Sequence, residues 1–164
     1  MRRIIIDSLP LMSGGGVSHY VRPLVSSFVR AGRNTYDIEL LFRLGFRRHR
    51  GDVFGSSAAG LPPGAAVRLT GWPDRLVERL WCPWQAPGGS VFLATTGMIP
   101  YGESVAKIWI VYDLVPARLP RFFRNGDTDH LHGMKKKSER VDFIVAISES
   151  TRRDIVELIG FPEN

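Results

Sequence analysis

The stretch SGGGVSHYVRPLVSSFVRAG, residues 13–32, places Gly14, Gly15 and Gly16 between a short apolar run and an amphipathic segment. A glycine-rich turn entering a helix offers free backbone N–H groups and the positive end of the helix dipole. With no Cβ in the way, an anion can approach that backbone closely. This is phosphate-binding chemistry. The spacing is neither the G-x-G-x-x-G of dinucleotide sites nor a P-loop, whose lysine is missing. A plain strand-to-helix turn is the other reading, and the glycines alone leave both open.

Other polar residues stand where apolar runs stop. Thr95 closes SVFLAT and Thr96 follows it, where their hydroxyls suit binding an acceptor or satisfying the loop backbone. Asp113 follows AKIWIVY and either caps the next turn or touches substrate. His19 lies one turn into the first helix, where it either reaches a cleft at that end or stands as an exposed bystander. Four histidines, His19, His49, His130 and His132, lack a cluster of acidic or cysteine neighbours. His130 and His132 are two apart and do not share a helix face, so no metal site is expected.

These residues need a scaffold, and the pattern of the chain supplies one. RIIID (3–7), DIELLF (37–42), SVFLAT (90–95), AKIWIV (106–111) and DFIVAIS (142–148) read as strands, the first and last two as buried ones. Val17, Tyr20, Val21, Leu24, Val25, Phe28 and Val29 recur at helical spacing, and Gly32 stands at the expected C′ position. Pro23 falls early in that helix, where a missing N–H does least harm. DRLVERLW (74–81) reads as a short helix, and TDHLHGMKKKSERV (128–141) as a helix interrupted at Gly133. Ser148 is placed to cap ESTRRDIVELIG, which Gly160 and Pro162 stop. Residues 43–66, rich in Gly, Pro, Ser and Arg, read as a long loop. Strands alternating with helices predict an α/β fold with a doubly wound, Rossmann-like parallel sheet. Such sheets bind ligands at the carboxyl ends of their strands.

Composition narrows the partners. The 164 residues are 44% hydrophobic, enough for one domain with a real core, and carry a net charge of +6. Acidic partners are therefore favoured: nucleotide phosphates, anionic lipid head groups or nucleic acid. Nucleic acid ranks last, because neither a zinc-finger pattern nor an aromatic-plus-basic RNA-binding signature is present. The stretches FRLGFRRHR (42–50) and RLPRFFR (118–124) interleave aromatic and basic residues, which suits either a solvated basic loop or an anionic membrane surface. The lone Cys82 cannot form an internal disulfide, and the opening apolar run is too short for a signal peptide. A cytoplasmic protein, peripheral on the membrane face at most, is expected.

Three segments taken together resemble family 4 glycosyltransferases of the GT-B fold. IDSLPLMSGGGVSHYVRPLVSSFVRAG resembles their opening, which reads like D-x-x-x…GG-[IV]-x-x-Y before an amphipathic helix. WIVYDLVPARLPRFF (109–123) resembles their V-H-D-L-I-P…P-x-[YF]-F segment. VDFIVAISESTRRDIVELIGFPEN (141–164) resembles the A-D-x-I-[IV]-[AT]-[VP]-S-E-x-[ST]-[KR]-x-[DE]-[LIV] stretch that closes their first domain. The order matches, while residues 43–90 carry no resemblance.

The resemblance implies one half of a GT-B enzyme, the N-terminal, acceptor-side domain. Its complementary C-terminal domain would hold a nucleotide-sugar donor. Gly14, Gly15 and Gly16 would then face the donor pyrophosphate. The donor is a co-substrate, and no cofactor or metal is implied. A hexose would pass to a glycan or lipid-linked acceptor with retention of configuration, and Tyr112 and Asp113 would stand at the reacting centre. The family commonly has histidine where this chain has Tyr112. A phenol with an ordinary pKa near 10 orients a sugar hydroxyl rather than shuttling a proton at neutral pH. A second class of function, a stand-alone module binding an anionic partner without chemistry, fits the same charge balance.

Overall fold

The computed structural model describes residues 2–12, 16–32, 34–43, 65–70, 76–81, 89–103, 105–122 and 128–163. Six strands form a single sheet: β1 (Arg2–Asp7), β2 (Tyr36–Arg43), β3 (Ala66–Thr70), β4 (Ser90–Ala94), β5 (Val105–Val111) and β6 (Phe143–Ala146). Their order is β3-β2-β1-β4-β5-β6 and every pairing is parallel. This is the doubly wound, Rossmann-like α/β architecture expected from the alternation of elements. The helices are α1 (Gly16–Gly32), α2 (Val115–Arg118), α3 (Thr128–Ser138) and α4 (Glu149–Asp154). A π-helical turn, Ile155–Ile159, continues α4 until Gly160, whose φ of 81° ends it.

Successive strand residues point to opposite faces, so runs such as Ile4-Ile5-Ile6 feed two cores at once. On one face Ile4 and Ile6 meet Leu40, Phe42 and Leu93 beneath Val21, Val25 and Val29 of α1. On the other, Ile5, Leu41, Phe92 and Trp109 pack with Met134 of α3 and with Ile155 and Ile159. Ser148 caps α4 as expected, its Oγ accepting the Thr151 N–H at 3.1 Å.

The apolar stripe of α1 divides. Val21, Val25 and Val29 are buried, while Val17, Tyr20 and Phe28 lie on an exposed flank. Gly32 is the last helical residue, buried and without a positive φ, so it is not a left-handed C′ residue. Its role is close packing: a Cβ there would stand 3.0 Å from Ile38 Cδ1. Helix α3 runs through Gly133 without interruption, and residues 77–81 form a π-helical turn rather than an α-helix.

Two further expectations are corrected. The predicted loop over 43–66 runs into β3, an added strand beside β2. That strand was illegible because it is short and half-exposed, with Val67 and Leu69 open to solvent. It is tied in by Arg68, whose Nε lies 2.7 Å from Glu39 Oε1. Residues 44–64 lie outside the described residues. Strand β6, expected to be buried, is an edge strand of the described sheet, with Phe143 55% and Val145 43% exposed.

Candidate functional site

The strand order places a topological switch point between β1 and β4. After β1 the chain leaves for β2 on one side, and after β4 it leaves for β5 on the other. The loops diverge there at the carboxyl edge, where parallel α/β sheets generally take their ligands. Asp7 ends β1, Arg43 ends β2, and Thr95 and Thr96 follow β4 directly. Register does the positioning: Asp7 pairs with Leu41 and Ile6 with Leu93, so Arg43, Thr95 and Thr96 lie just beyond Asp7 at the same edge.

The cluster is closely bonded. Arg43 Nε and Nη2 both donate to Asp7 Oδ1 at 3.3 Å, and Nη2 also donates to Oδ2 at 3.3 Å. The same Nη2 donates to Thr96 Oγ1 at 3.1 Å, and the Thr96 hydroxyl in turn donates to Asp7 Oδ2. The Thr95 hydroxyl donates to the Asp7 backbone carbonyl. Both charged side chains are nearly solvent-free, at 2% exposure for Arg43 and 0% for Asp7. Burial pushes the Asp7 carboxyl above its ordinary range, while Arg43, Thr96 and the Leu9 N–H pull it back. An aspartate so occupied braces three strand ends; it is not a poised general base.

Around this brace the backbone is also fixed. Ser8 N–H donates to Leu41 O at 2.8 Å, and Arg22 of α1 reaches Leu11 O at 2.9 Å. The turn after β1 is thus anchored on both sides before it enters the glycines. Gly16 opens α1, and among the described residues nothing outside its own turn lies within 4 Å of a Cβ built on it. Gly14 and Gly15 lie outside the described residues.

Tyr112 follows β5 at the same edge. Its ring meets Tyr20 of α1 edge-on, with centroids 5.6 Å apart and planes at 87°. Thr151 of α4 donates to its carbonyl at 3.0 Å, fixing the backbone. Its hydroxyl is shielded from solvent and has no hydrogen-bond partner among the described residues. Burial, with the neighbouring Tyr20 and Asp7, drives its pKa far above the ordinary tyrosine value. The phenol therefore stays protonated and presents one unused donor. Tyr112→Phe is expected to change the unfolding free energy of the ligand-free protein by less than about 0.5 kcal/mol. Denaturant unfolding checks this, and a loss above about 1 kcal/mol would mean that the hydroxyl already has a partner.

The structure thus brings Thr95, Thr96 and Tyr112 to one edge, with the helix start at Gly16. Asp113 is exposed, and its Oδ1 accepts the Val115 N–H at 3.1 Å, a turn-capping contact at the start of α2. His19 is exposed on α1. Among the described residues, no three His, Cys, Asp or Glu side chains gather as a metal site. Asp7 and Arg43 were not singled out from the sequence, although a signal existed. Each is a charge standing directly at the carboxyl end of an apolar parallel-strand run.

No helix among the described residues is long and apolar enough to cross a membrane. The chain matches no family model, and no curated protein matches it significantly.

Proposed function

We propose that this chain is the acceptor-side domain of a retaining glycosyltransferase that moves a hexose from a nucleotide sugar to a glycan or lipid-linked acceptor. The observation that carries the reading is the braced polar cluster at the switch point. It holds the turn into the glycine loop beside an unused, buried Tyr112 hydroxyl. Donor phosphates at a glycine-rich helix start and a sugar hydroxyl at a phenol are compatible with that edge. The three segments that resemble family 4 enzymes give the reaction class.

In this reading the backbone N–H groups of Gly14, Gly15 and Gly16 bind the donor pyrophosphate across a cleft closed by a second, nucleotide-sugar domain. Tyr112 donates to a sugar hydroxyl, and its protonated state excludes it as a base. Thr96 lies on the acceptor side, supported from below by the buried Thr95, whose hydroxyl is used on the Asp7 carbonyl, with His19 and Asp113 at the rim. The acceptor hydroxyl attacks from the face that the phosphate leaves, and the departing phosphate takes its proton. Fixed dipoles stabilise the oxocarbenium-like charge, with no protein nucleophile.

The test is Gly15→Leu in the protein carrying both domains, assayed for sugar transfer from a panel of nucleotide sugars. The expected loss is at least about 100-fold in turnover, since a bulky side chain displaces the reacting phosphate by an ångström or more. Unchanged turnover removes the phosphate role of the loop. An inactive unaltered two-domain protein removes the enzymatic reading altogether.

A further inference from the structure

The segment after Tyr112 turns its apolar side chains the wrong way for a core. Leu114 is fully buried and Ala117 packs against the core, which fixes the inner face of α2. Val115, Leu119 and Phe122, spaced four and three residues apart, point outward at 45%, 44% and 68% exposure. Phe122 is the most exposed large hydrophobic residue described. Looseness does not account for this. Arg118 donates to Asp154 at 2.8 Å and also to Glu157, locking the segment onto α4 and the turn beyond it.

Both signs of charge border this face: Asp113 stands at the start of α2, and Asp154 and Glu157 hold Arg118. On the face itself Arg121 is exposed and lies over the Phe122 ring, 4.9 Å from its centroid. The sequence continues with Phe123 and Arg124, and the whole chain carries +6. A cation beside protruding aromatic and aliphatic groups is the composition of an interfacial membrane contact: apolar tips enter the acyl boundary while the cation meets anionic head groups. A second copy is a poor occupant, because a two-fold axis would set Arg121 against its own equivalent between two molecules of charge +6.

We infer that the outward face of residues 115–122, carried by Val115, Leu119, Arg121 and Phe122, docks on an anionic lipid bilayer. The face follows β5 at the carboxyl edge of the sheet, the edge that also carries Thr96 and Tyr112. This inference rests on the surface alone and stands or falls apart from the transfer reaction.

The experiment is co-sedimentation of the 164-residue chain with vesicles of phosphatidylcholine, alone or with about a third phosphatidylglycerol. Binding is expected only to the anionic vesicles, and weaker at physiological than at low salt. Phe122→Ser should lower the partition coefficient about tenfold, and Arg121→Gln about fivefold. Phe122 is exposed, so circular dichroism should show both variants folded. Arg30→Gln removes the same charge from the last turn of α1, at the opposite edge of the sheet, and should change little. Absence of binding to anionic vesicles overturns the inference. So does an Arg30→Gln loss equal to that of Arg121→Gln with Phe122→Ser unaffected, which would mean diffuse charge attraction. A concentration-dependent dimer abolished by Phe122→Ser would put a second copy on this face and overturn it equally.

Discussion

Arg43→Met is expected to destabilise the fold by about 3–5 kcal/mol at neutral pH, because it strands the buried Asp7 carboxylate without its countercharge. Asp7 is fully buried, and the two nitrogens that Arg43 directs at it have no described substitute. The remaining Thr96 and Leu9 donors hydrogen-bond the carboxylate without neutralising it. The deficit should depend on pH, and its sign follows from linkage. In the unaltered protein the Asp7 carboxyl already sits above its ordinary value because burial outweighs Arg43. A raised folded value means that its contribution is fully present below about pH 4 and is lost as pH rises through the folded value. Removing Arg43 raises that value further and widens the window of loss. The difference between variant and parent should therefore shrink as pH falls from 7 toward 4, which denaturant unfolding along that range would measure. A deficit constant with pH would show that Asp7 is not the group responsible. Asp7→Asn combined with Arg43→Met should be less destabilised than Arg43→Met alone, because the stranded charge is then absent.

Phe92→Ala is expected to cost a further large amount, about 3–5 kcal/mol, since the ring is fully buried at the centre of the sheet. Phe92 lies on β4 between β1 and β5, with Trp109, Met134 and Ile155 in the same core cluster. The comparison that gives this value meaning is Phe143→Ala on β6. That residue is also a strand phenylalanine, but it is more than half exposed and should cost less than about 1.5 kcal/mol. Thermal or urea unfolding of the two variants side by side tests the assignment of centre and edge. Equal costs would mean that the outer face of β6 is covered as fully as the core.

The contrast between these two phenylalanines marks how far the sequence could be read. Both stand in short apolar runs, SVFLAT and DFIVAIS, which look alike as strings. Periodicity reports that a strand is apolar on both faces; it does not report what lies against each face. The same limit explains α1, where seven apolar residues mark a helix but only Val21, Val25 and Val29 reach the bottom of the core. It also explains β3, whose pairing with β2 is a long-range fact supported by an ion pair rather than by its own hydrophobicity.

The candidate site divides in a similar way. Thr95, Thr96 and Tyr112 were legible because they end apolar runs, and a parallel sheet must deliver such ends to one edge. The parallel α/β class was legible for a related reason. Strand and helix periods are local, and their alternation leaves few topologies. What the tertiary structure alone decided is which strand ends are neighbours. The order β3-β2-β1-β4-β5-β6 sets Arg43 beside Asp7 and Thr96 across 36 and 53 residues of sequence. Each charge is visible locally at the end of its apolar run, but nothing in the sequence says that the two meet. They become a brace only when the strands pair, because water leaves both at once and each is then the other's nearest compensation.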